Sequence, residues 1–569
     1  MPPDDRPDFG QPMSVFLFSL RHLGLYRNDG AEKHSCDCTD PASEDLASWL
    51  VAWQRTPVTR FFSSIPFAVG LFGALGLFLG MPNPLAHLPP LALAYPAALA
   101  WFGLTAGDRG KAFRRGWLCG LAGASACLYW IAVPVTEVAR QPLLLGASCA
   151  TLLGSYVGVY GGLFALLAHK FRHAAPGRVA LTLGLGWFLL ETLRGWLCTG
   201  FPWLPLAAAF TPWTAWIQPV AWIGAYAFGG VLAGLTGLAL VSFRARRFRG
   251  VLAVILVLAL IPVAGLWRMN GLDMGGEEVS VALVQGNINQ NQKWDGLYLN
   301  RTIQTYMALS ENTGAALIVW PETAMPIDYP DHERGKDLRR FAAGANAWLL
   351  FGAPGVERRP GAEDLFNRAF LISPLGRNRG FYEKEHLVPF GEYVPPFLDL
   401  PFLQGLLQGI GDFTPGRRTA PLVLSPSEGR VDAPLALGIL ICYETIFPEL
   451  SRQRVAEGAE VLINISNDAW FGRSSAPEQH LHLSILRAVE QQRWLVRGTN
   501  TGVSALIDPA GRVTARSGLF VAETLKGFVR PVRETTLFFH VYPWLTPLAV
   551  LLFVFLAWRL RRPSDHTTR

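Results

Sequence analysis

At 569 residues the chain is longer than one hydrophobic core usually supports, and with half of it apolar and only 16% charged it falls well below the roughly 25% charge of an ordinary soluble protein. Nineteen tryptophans strengthen the expectation of a membrane protein. The net charge of +7 would indicate nucleic acid only if the basic residues formed one folded patch, and instead many of them sit in short loops beside apolar stretches, so no nucleic-acid partner is expected.

Residues 1–60 read as a cytoplasmic leader without the basic start, apolar centre and small-residue cleavage site of a signal peptide. Seven apolar stretches follow, near 61–80, 88–106, 117–135, 143–168, 179–197, 223–243 and 251–267, each approaching the length that crosses a hydrocarbon layer of about 30 Å, and an eighth lies at 538–558. "GDRGKAFRRG", "HKFRHAAPGR", "FRARRFRG" and the tail "WRLRRP" at 558–563 are basic, whereas "MPNPLAHLPP" carries no Lys or Arg. The positive-inside rule then assigns the basic loops and both termini, including a tail at 559–569, to the cytoplasm. Seven transmembrane helices over 61–267 leave everything up to the last helix outside.

That outer segment, 277–533, alternates short β-prone runs such as "VSVALVQGNI", "ALIVWPE", "LALGILICYE" and "EVLINISND" with helical stretches such as "LHLSILRAVEQQRWLVRG". The predicted fold is a multi-pass α-helical membrane domain plus an extracytoplasmic α/β domain. Chemistry in such sheets gathers beyond strand ends, where Glu322, Lys384 and Cys442 fall. No P-loop, dinucleotide-binding glycine motif or zinc-spaced His/Cys cluster is present, so neither a metal nor a cofactor is expected.

Seven cysteines are present: Cys36 and Cys38 are too close for ordinary disulfide geometry, four between Cys119 and Cys198 lie in or beside apolar segments, and Cys442 stands alone in the polar region. A thiol attacks as thiolate, and a free cysteine with a pKa near 8.5 holds little of it at neutral pH. A carboxylate such as Glu322 in "WPETA" can take the proton, and a lysine such as Lys384 in "YEKEHL" can hold the oxyanion of a tetrahedral intermediate. Together they could carry out acyl transfer. His386, two residues past Lys384, offers a competing cysteine–histidine design that spacing alone leaves open.

"WPETA", "KEHLVPFGEYVP" and "ICYE", in that order within one α/β segment, resemble the glutamate–lysine–cysteine motifs of the nitrilase (carbon–nitrogen hydrolase) superfamily. With seven apolar stretches before them, one after, and "GFPW", "QKWD", "NDAWFG" and "RGTNTGVSA" in place, the chain over about 61–558 is similar to the apolipoprotein N-acyltransferase family. The resemblance implies an α-β-β-α nitrilase-like sandwich, Glu322 as general base, Lys384 stabilising the intermediate and Cys442 as the acylated nucleophile. It also implies Glu392 in "FGEY" as an additional carboxylate, and Tyr443, Glu444, Trp294 and Trp470 as pocket-shaping residues.

The partners implied are a phospholipid acyl donor, commonly phosphatidylethanolamine, a diacylglyceryl apolipoprotein acceptor and the bilayer itself, with the enzyme in the bacterial inner membrane and its catalytic domain periplasmic. "VPPFLDLPFLQGLLQGIGDF" after Glu392 reads as an apolar arm over a lipid entrance. Within the membrane region Glu191 and Arg194, one helical turn apart, are either a structural ion pair or contacts to lipid head groups. Two rivals remain: a membrane-tethered amidase in which water replaces the acceptor amine, and a transporter whose outer domain only binds ligand.

Overall fold

The computed structural model describes residues 64–293, 296–395, 412–417 and 420–559. The leader, Trp294, residues 396–411 of the apolar arm, and the tail beyond Arg559 lie outside the described residues.

Among the described residues, seven helices of twelve residues or more occupy the N-terminal half: α1 Ile65–Gly80, α2 Ala94–Thr105, α3 Arg109–Cys127, α4 Leu143–Lys170, α5 Pro176–Arg194, α6 Val220–Arg244 and α7 Phe248–Asn270. Their starts follow local chemistry. Ser64 and Asp108 cap α1 and α3 by accepting from the Phe67 and Lys111 amides, at 3.3 and 2.8 Å. Pro89 and Pro90 instead hold the entry to α2 as a 3₁₀ turn, so this helix begins six residues later than the apolar run that announced it. The third apolar run is likewise not one helix: α3 starts earlier, among Arg109, Lys111, Arg114 and Arg115, and stops at Cys127, where the chain bends by 60° into short turns over 129–138.

By length and composition, α4, α6, α7 and the last helix, Leu537–Arg559, are long and apolar enough to cross a membrane, and the bent pair around Leu128 is a fifth candidate. Leu252, Ile255, Leu256, Leu260 and Val263 on α7 are exposed, an arrangement that suits lipid and not water. Glycines let α3 and α4 pack backbone to backbone; a Cβ on Gly158 would sit 2.8 Å from the Trp117 carbonyl.

The C-terminal half is two stacked six-stranded sheets, ordered β12-β1-β2-β3-β4-β5 and β11-β10-β9-β8-β7-β6. The first joins β1 Val279–Gln285, β2 Leu317–Val319, β3 Trp348–Arg359, β4 Ala362–Ile372, β5 Asn378–Glu383 and β12 Glu523–Val529; the second joins β6 Leu422–Leu424, β7 Leu435–Ile441, β8 Val461–Ser466, β9 Trp494–Thr499, β10 Ala505–Ile507 and β11 Val513–Arg516. Side-chain alternation builds the layers. Val281 and Leu283 of β1 join Ile463 and Ile465 of β8 between the sheets, whereas Ala282 and Val284 face outward onto Ile303 of α8 (Gly296–Ser310) and Leu338 of α9 (Gly335–Ala345). The second sheet is covered by α10 (Pro448–Ala456) and α11 (Ala476–Gln491), giving an α-β-β-α sandwich.

Helix α11 belongs to both halves. Leu481, Leu486 and Val489 share one continuous core with Leu462 and Leu495 of the sheet and with Trp203, Phe210 and Ala221 of the helical region. Polar groups seal the seam. The Gln479 amide oxygen accepts from the indoles of Trp130 and Trp203 at 3.0 and 2.7 Å, and its nitrogen donates to the carbonyls of Pro82 and Cys127, both at 3.1 Å, and to the Ser475 hydroxyl at 3.2 Å. Farther along, Glu490 accepts from the Ala225 amide at 2.7 Å, just past Gly224, whose φ of 78° breaks α6 and where a Cβ would strike Phe538. The orphaned amide of a broken helix is thus capped from the sandwich. The last helix, α12 (Leu537–Arg559), then runs back along α5 and α6.

Candidate active site

Strand β7 is apolar and stays paired with β8 up to Ile441, and the chain then turns sharply: Cys442 has φ 53°, in the left-handed region, and opens a 3₁₀ turn through Ile446. Glu444 holds that turn. Its carboxylate accepts from the amides of Ile441 (2.7 Å), Glu385 (2.7 Å) and His386 (3.1 Å) and from the Tyr382 hydroxyl (2.9 and 3.0 Å). One buried side chain therefore ties the cysteine turn to the segment that carries Lys384. Burial pushes the Glu444 carboxyl up to about 7, while these donors pull it back. The Cys442 carbonyl accepts from Asn464 Nδ2 at 3.3 Å and His480 Nε2 at 3.2 Å, which further fixes the turn.

Glu322 lies three residues beyond β2 and Lys384 follows β5, both almost wholly buried. Lys384 Nζ is 2.8 Å from Glu392 and 3.6 Å from Glu322 Oε1. Asn367 Nδ2 bridges the two carboxylates, donating to Glu322 Oε1 at 2.7 Å and to Glu392 Oε1 at 3.0 Å. The other oxygen of Glu322 accepts from the Asn467 amide, and that of Glu392 from the Val388 amide, each at 2.8 Å. Burial works against the Lys384 cation, yet Glu392 and then Glu322 outweigh it and raise its pKa. Burial also raises the pKa of the Cys442 thiol, and the Glu322 charge adds to this; Lys384 and the Ser466 hydroxyl pull the other way. Burial and Glu322 thus favour the protonated thiol, and the Lys384 cation favours the thiolate.

His386 does not provide a cysteine–histidine pair. Burial and Lys384 lower its pKa to about 4, its ring centroid lies 4.1 Å from that of Phe447, and among the described residues its Nε2 has no hydrogen-bond partner. The histidine that does contact the cysteine is His480, and it bonds the carbonyl. Its other ring nitrogen is 3.2 Å from Asp468, which also pairs with Arg497 at 2.7 Å.

Of the pocket residues expected from sequence, Tyr443 is buried, with its hydroxyl donating to the Gly200 carbonyl at 2.9 Å and its ring stacked on Trp203. "GFPW" therefore reaches the residue next to the thiol. Trp470 is partly exposed on the turn after β8, and Trp294 lies outside the described residues. Glu191 and Arg194 are buried and 4.0 Å apart; Glu191 accepts from the Leu206 amide and Arg194 donates to the Leu204 carbonyl, so the pair anchors the loop that delivers Trp203.

Sequence reasoning missed Asn367 and Lys293. Asn367 immediately precedes the β4–β5 partners Arg368 and Glu383, and Lys384 donates its amide to the Asn367 carbonyl at 2.9 Å. An asparagine within the apolar run "LFNRAFLIS" was the available signal, because strands are depleted in that residue. Lys293 is fully buried and donates to the main-chain carbonyl of Glu322 at 3.1 Å.

Two family models match the chain: "Apolipoprotein N-acyltransferase N-terminal domain" over residues 73–238 and "Carbon-nitrogen hydrolase" over residues 280–532. Among curated relatives, the apolipoprotein N-acyltransferase of Geobacter metallireducens is 36% identical over 527 residues, covering 89% of this chain and 98% of its own. That of Pseudomonas syringae pv. tomato is 34% identical over 487 residues, covering 83% and 92%. Among solved structures, Saccharomyces cerevisiae Nit3, a member of branch 10 of the nitrilase superfamily, is 20% identical with a TM-score of 0.35, covering 46% of this chain and 92% of its own.

Proposed function

The chain belongs to the apolipoprotein N-acyltransferase family, and from that premise we propose that Cys442, Glu322 and Lys384 carry a fatty acyl group from a phospholipid to the α-amine of a diacylglyceryl-cysteine lipoprotein. It is an N-acyltransferase of the nitrilase superfamily and a membrane protein; the relatives favour this reading over a hydrolysing amidase.

The observation that carries the mechanism is the buried cluster of Lys384, Glu322, Glu392 and Asn367 beside a thiol held at a strand end. In the first half-reaction Glu322 takes the thiol proton and Sγ attacks the glycerol ester carbonyl of the donor. Lys384 holds the resulting oxyanion. The intermediate collapses to a thioester as the lysophospholipid alkoxide leaves and takes the proton back from Glu322. In the second half-reaction the lipoprotein amine attacks the thioester, its proton passes to Glu322, and the departing thiolate is reprotonated as the amide forms. Glu392 and Asn367 keep Lys384 and Glu322 in register throughout.

Phosphatidylethanolamine in the outer leaflet of the bacterial inner membrane fits as donor. The basic loops support a cytoplasmic side for both termini and a periplasmic sandwich, with seven transmembrane helices before it and one after. Contact between Tyr443 and "GFPW" supports a thiol held close to the bilayer surface. The test is mass spectrometry of the purified protein after incubation with phosphatidylethanolamine. A fatty-acyl increment on the Cys442 peptide, abolished by Cys442→Ala, is expected; an increment that survives the substitution overturns the assignment.

A further inference from the structure

Lys293 ends a single helical turn, Gln290–Lys293, that the sandwich holds firmly. Gln290 accepts from Asn467 Nδ2 at 2.8 Å, and Asn500 bonds both the amide and the carbonyl of Ile288, at 2.9 and 2.8 Å. At the end of this turn the Lys293 ammonium is 1% exposed, and among the described residues its hydrogen-bond acceptor is the Glu322 carbonyl alone. An ammonium has three donors, and burying one with a single neutral acceptor is costly. A neutral amide or hydroxyl could hold the same carbonyl without burying a charge, so anchoring the backbone does not account for a lysine.

The surrounding charges do. Glu322 and Glu392 are two carboxylates facing one ammonium, Lys384. The other groups near the thiol are already balanced or neutral: Asp468 is paired with Arg497, burial lowers the pKa of His480, and Glu444 is saturated by donors. Without another cation, thiolate formation at Cys442 takes place beside a net negative cluster. We propose that Lys293 is a positioning residue that supplies the second positive charge of the site, so that moving a proton from Cys442 to Glu322 rearranges charge within a neutral group of five side chains. Burial pulls its own pKa down to about 8, while the charges of Glu322 and of Cys442 hold it up, which agrees with a cation kept for its interaction with those two groups.

This inference rests on Cys442 as nucleophile and Glu322 as base, and its test separates the two. Full-length protein in detergent is alkylated with iodoacetamide across a pH series, and the Cys442 peptide is quantified by mass spectrometry in wild type, Lys293→Met and Lys293→Arg. An opposite charge at close range moves a pKa by roughly 1–3 units. Lys293→Met is therefore expected to shift the reactivity profile of Cys442 upward by about one unit and to slow alkylation roughly tenfold near neutral pH, with Lys293→Arg restoring the wild-type midpoint. A Lys293→Met profile that superimposes on wild type overturns the proposal, whatever happens to acyl transfer. If Lys293→Met does not fold, Lys293→Gln makes the same comparison. Failure of wild-type Cys442 to acquire an acyl group from lipid would refute the mechanism itself, and it is read in a separate measurement.

Discussion

Gln479→Leu tests how tightly the helical region governs the sandwich. The native amide makes five hydrogen bonds, four of them across the seam, and an apolar side chain of similar size takes the Gln479 partner from four buried groups: the indole N–H groups of Trp130 and Trp203 and the carbonyls of Pro82 and Cys127. Each orphaned group costs about 1–3 kcal/mol, so even the lower end of the range totals about 4 kcal/mol. That is a large share of the roughly 5–15 kcal/mol by which a folded domain exceeds its unfolded state. The next residue, His480, bonds the Cys442 carbonyl, so a displaced α11 reaches the nucleophile directly. Thermal unfolding in detergent, followed by tryptophan fluorescence, should show a midpoint lowered by several degrees and a transition that splits in two, with a parallel fall in the rate of Cys442 acylation. An unchanged midpoint with a single transition would refute the idea that this amide joins the two halves.

Asn367→Leu removes the donor shared by Glu322 and Glu392. Hydrogen bonds to charged groups are worth about 1.5–3 kcal/mol, so the acylation rate should fall roughly 10–100-fold, with little change in apparent donor affinity. Lys293→Met should stabilise the protein: a fall in pKa from 10.5 to about 8 in the folded state corresponds to about 3 kcal/mol held against folding below pH 8. The gain in melting temperature should be full near pH 7 and shrink as pH rises from about 8 towards the unfolded value. Asp468 has the opposite sign, because Arg497 and His480 overcome burial and hold its carboxyl well below the usual range. Its contribution is present above a pH of about 4 and is lost as pH falls through the folded value, so Asp468→Asn should flatten acid melting curves in that window. Tyr443→Phe leaves the Gly200 carbonyl without its donor and should cost about 1 kcal/mol in the same assay.

Much of this architecture can be read from alternation and strand ends. Runs such as "LALGILI" and "EVLINIS" announce buried strands, and Glu322 and Cys442 stand just past two such strands, where polar residues abruptly replace apolar ones; Lys384 instead follows β5, "NRGFYE", whose first four residues are exposed. For Glu191 and Arg194, one turn apart on a helix, spacing left an ion pair and lipid head-group contacts both open, and the structure pairs them at 4.0 Å. What stayed hidden depends on contacts distant in sequence. Asn367 meets Glu322 across 45 positions, and Lys293 reaches the same residue across 29. Local pattern carries no record of such pairings. Apolar length also overstated the start of α2, since hydropathy does not register that Pro89 and Pro90 bar a regular helix.

A helix shared between two cores has a practical cost for anyone wishing to dissect this molecule. Expressing the sandwich alone would strip α11 of the partners for Leu481, Leu486 and Val489 and take from Gln479 and Glu490 the helical-region groups that they bond, so the fragment would aggregate or bind detergent even though its sheets are complete. A soluble version would require redesign of that one helix face before the gene was cut.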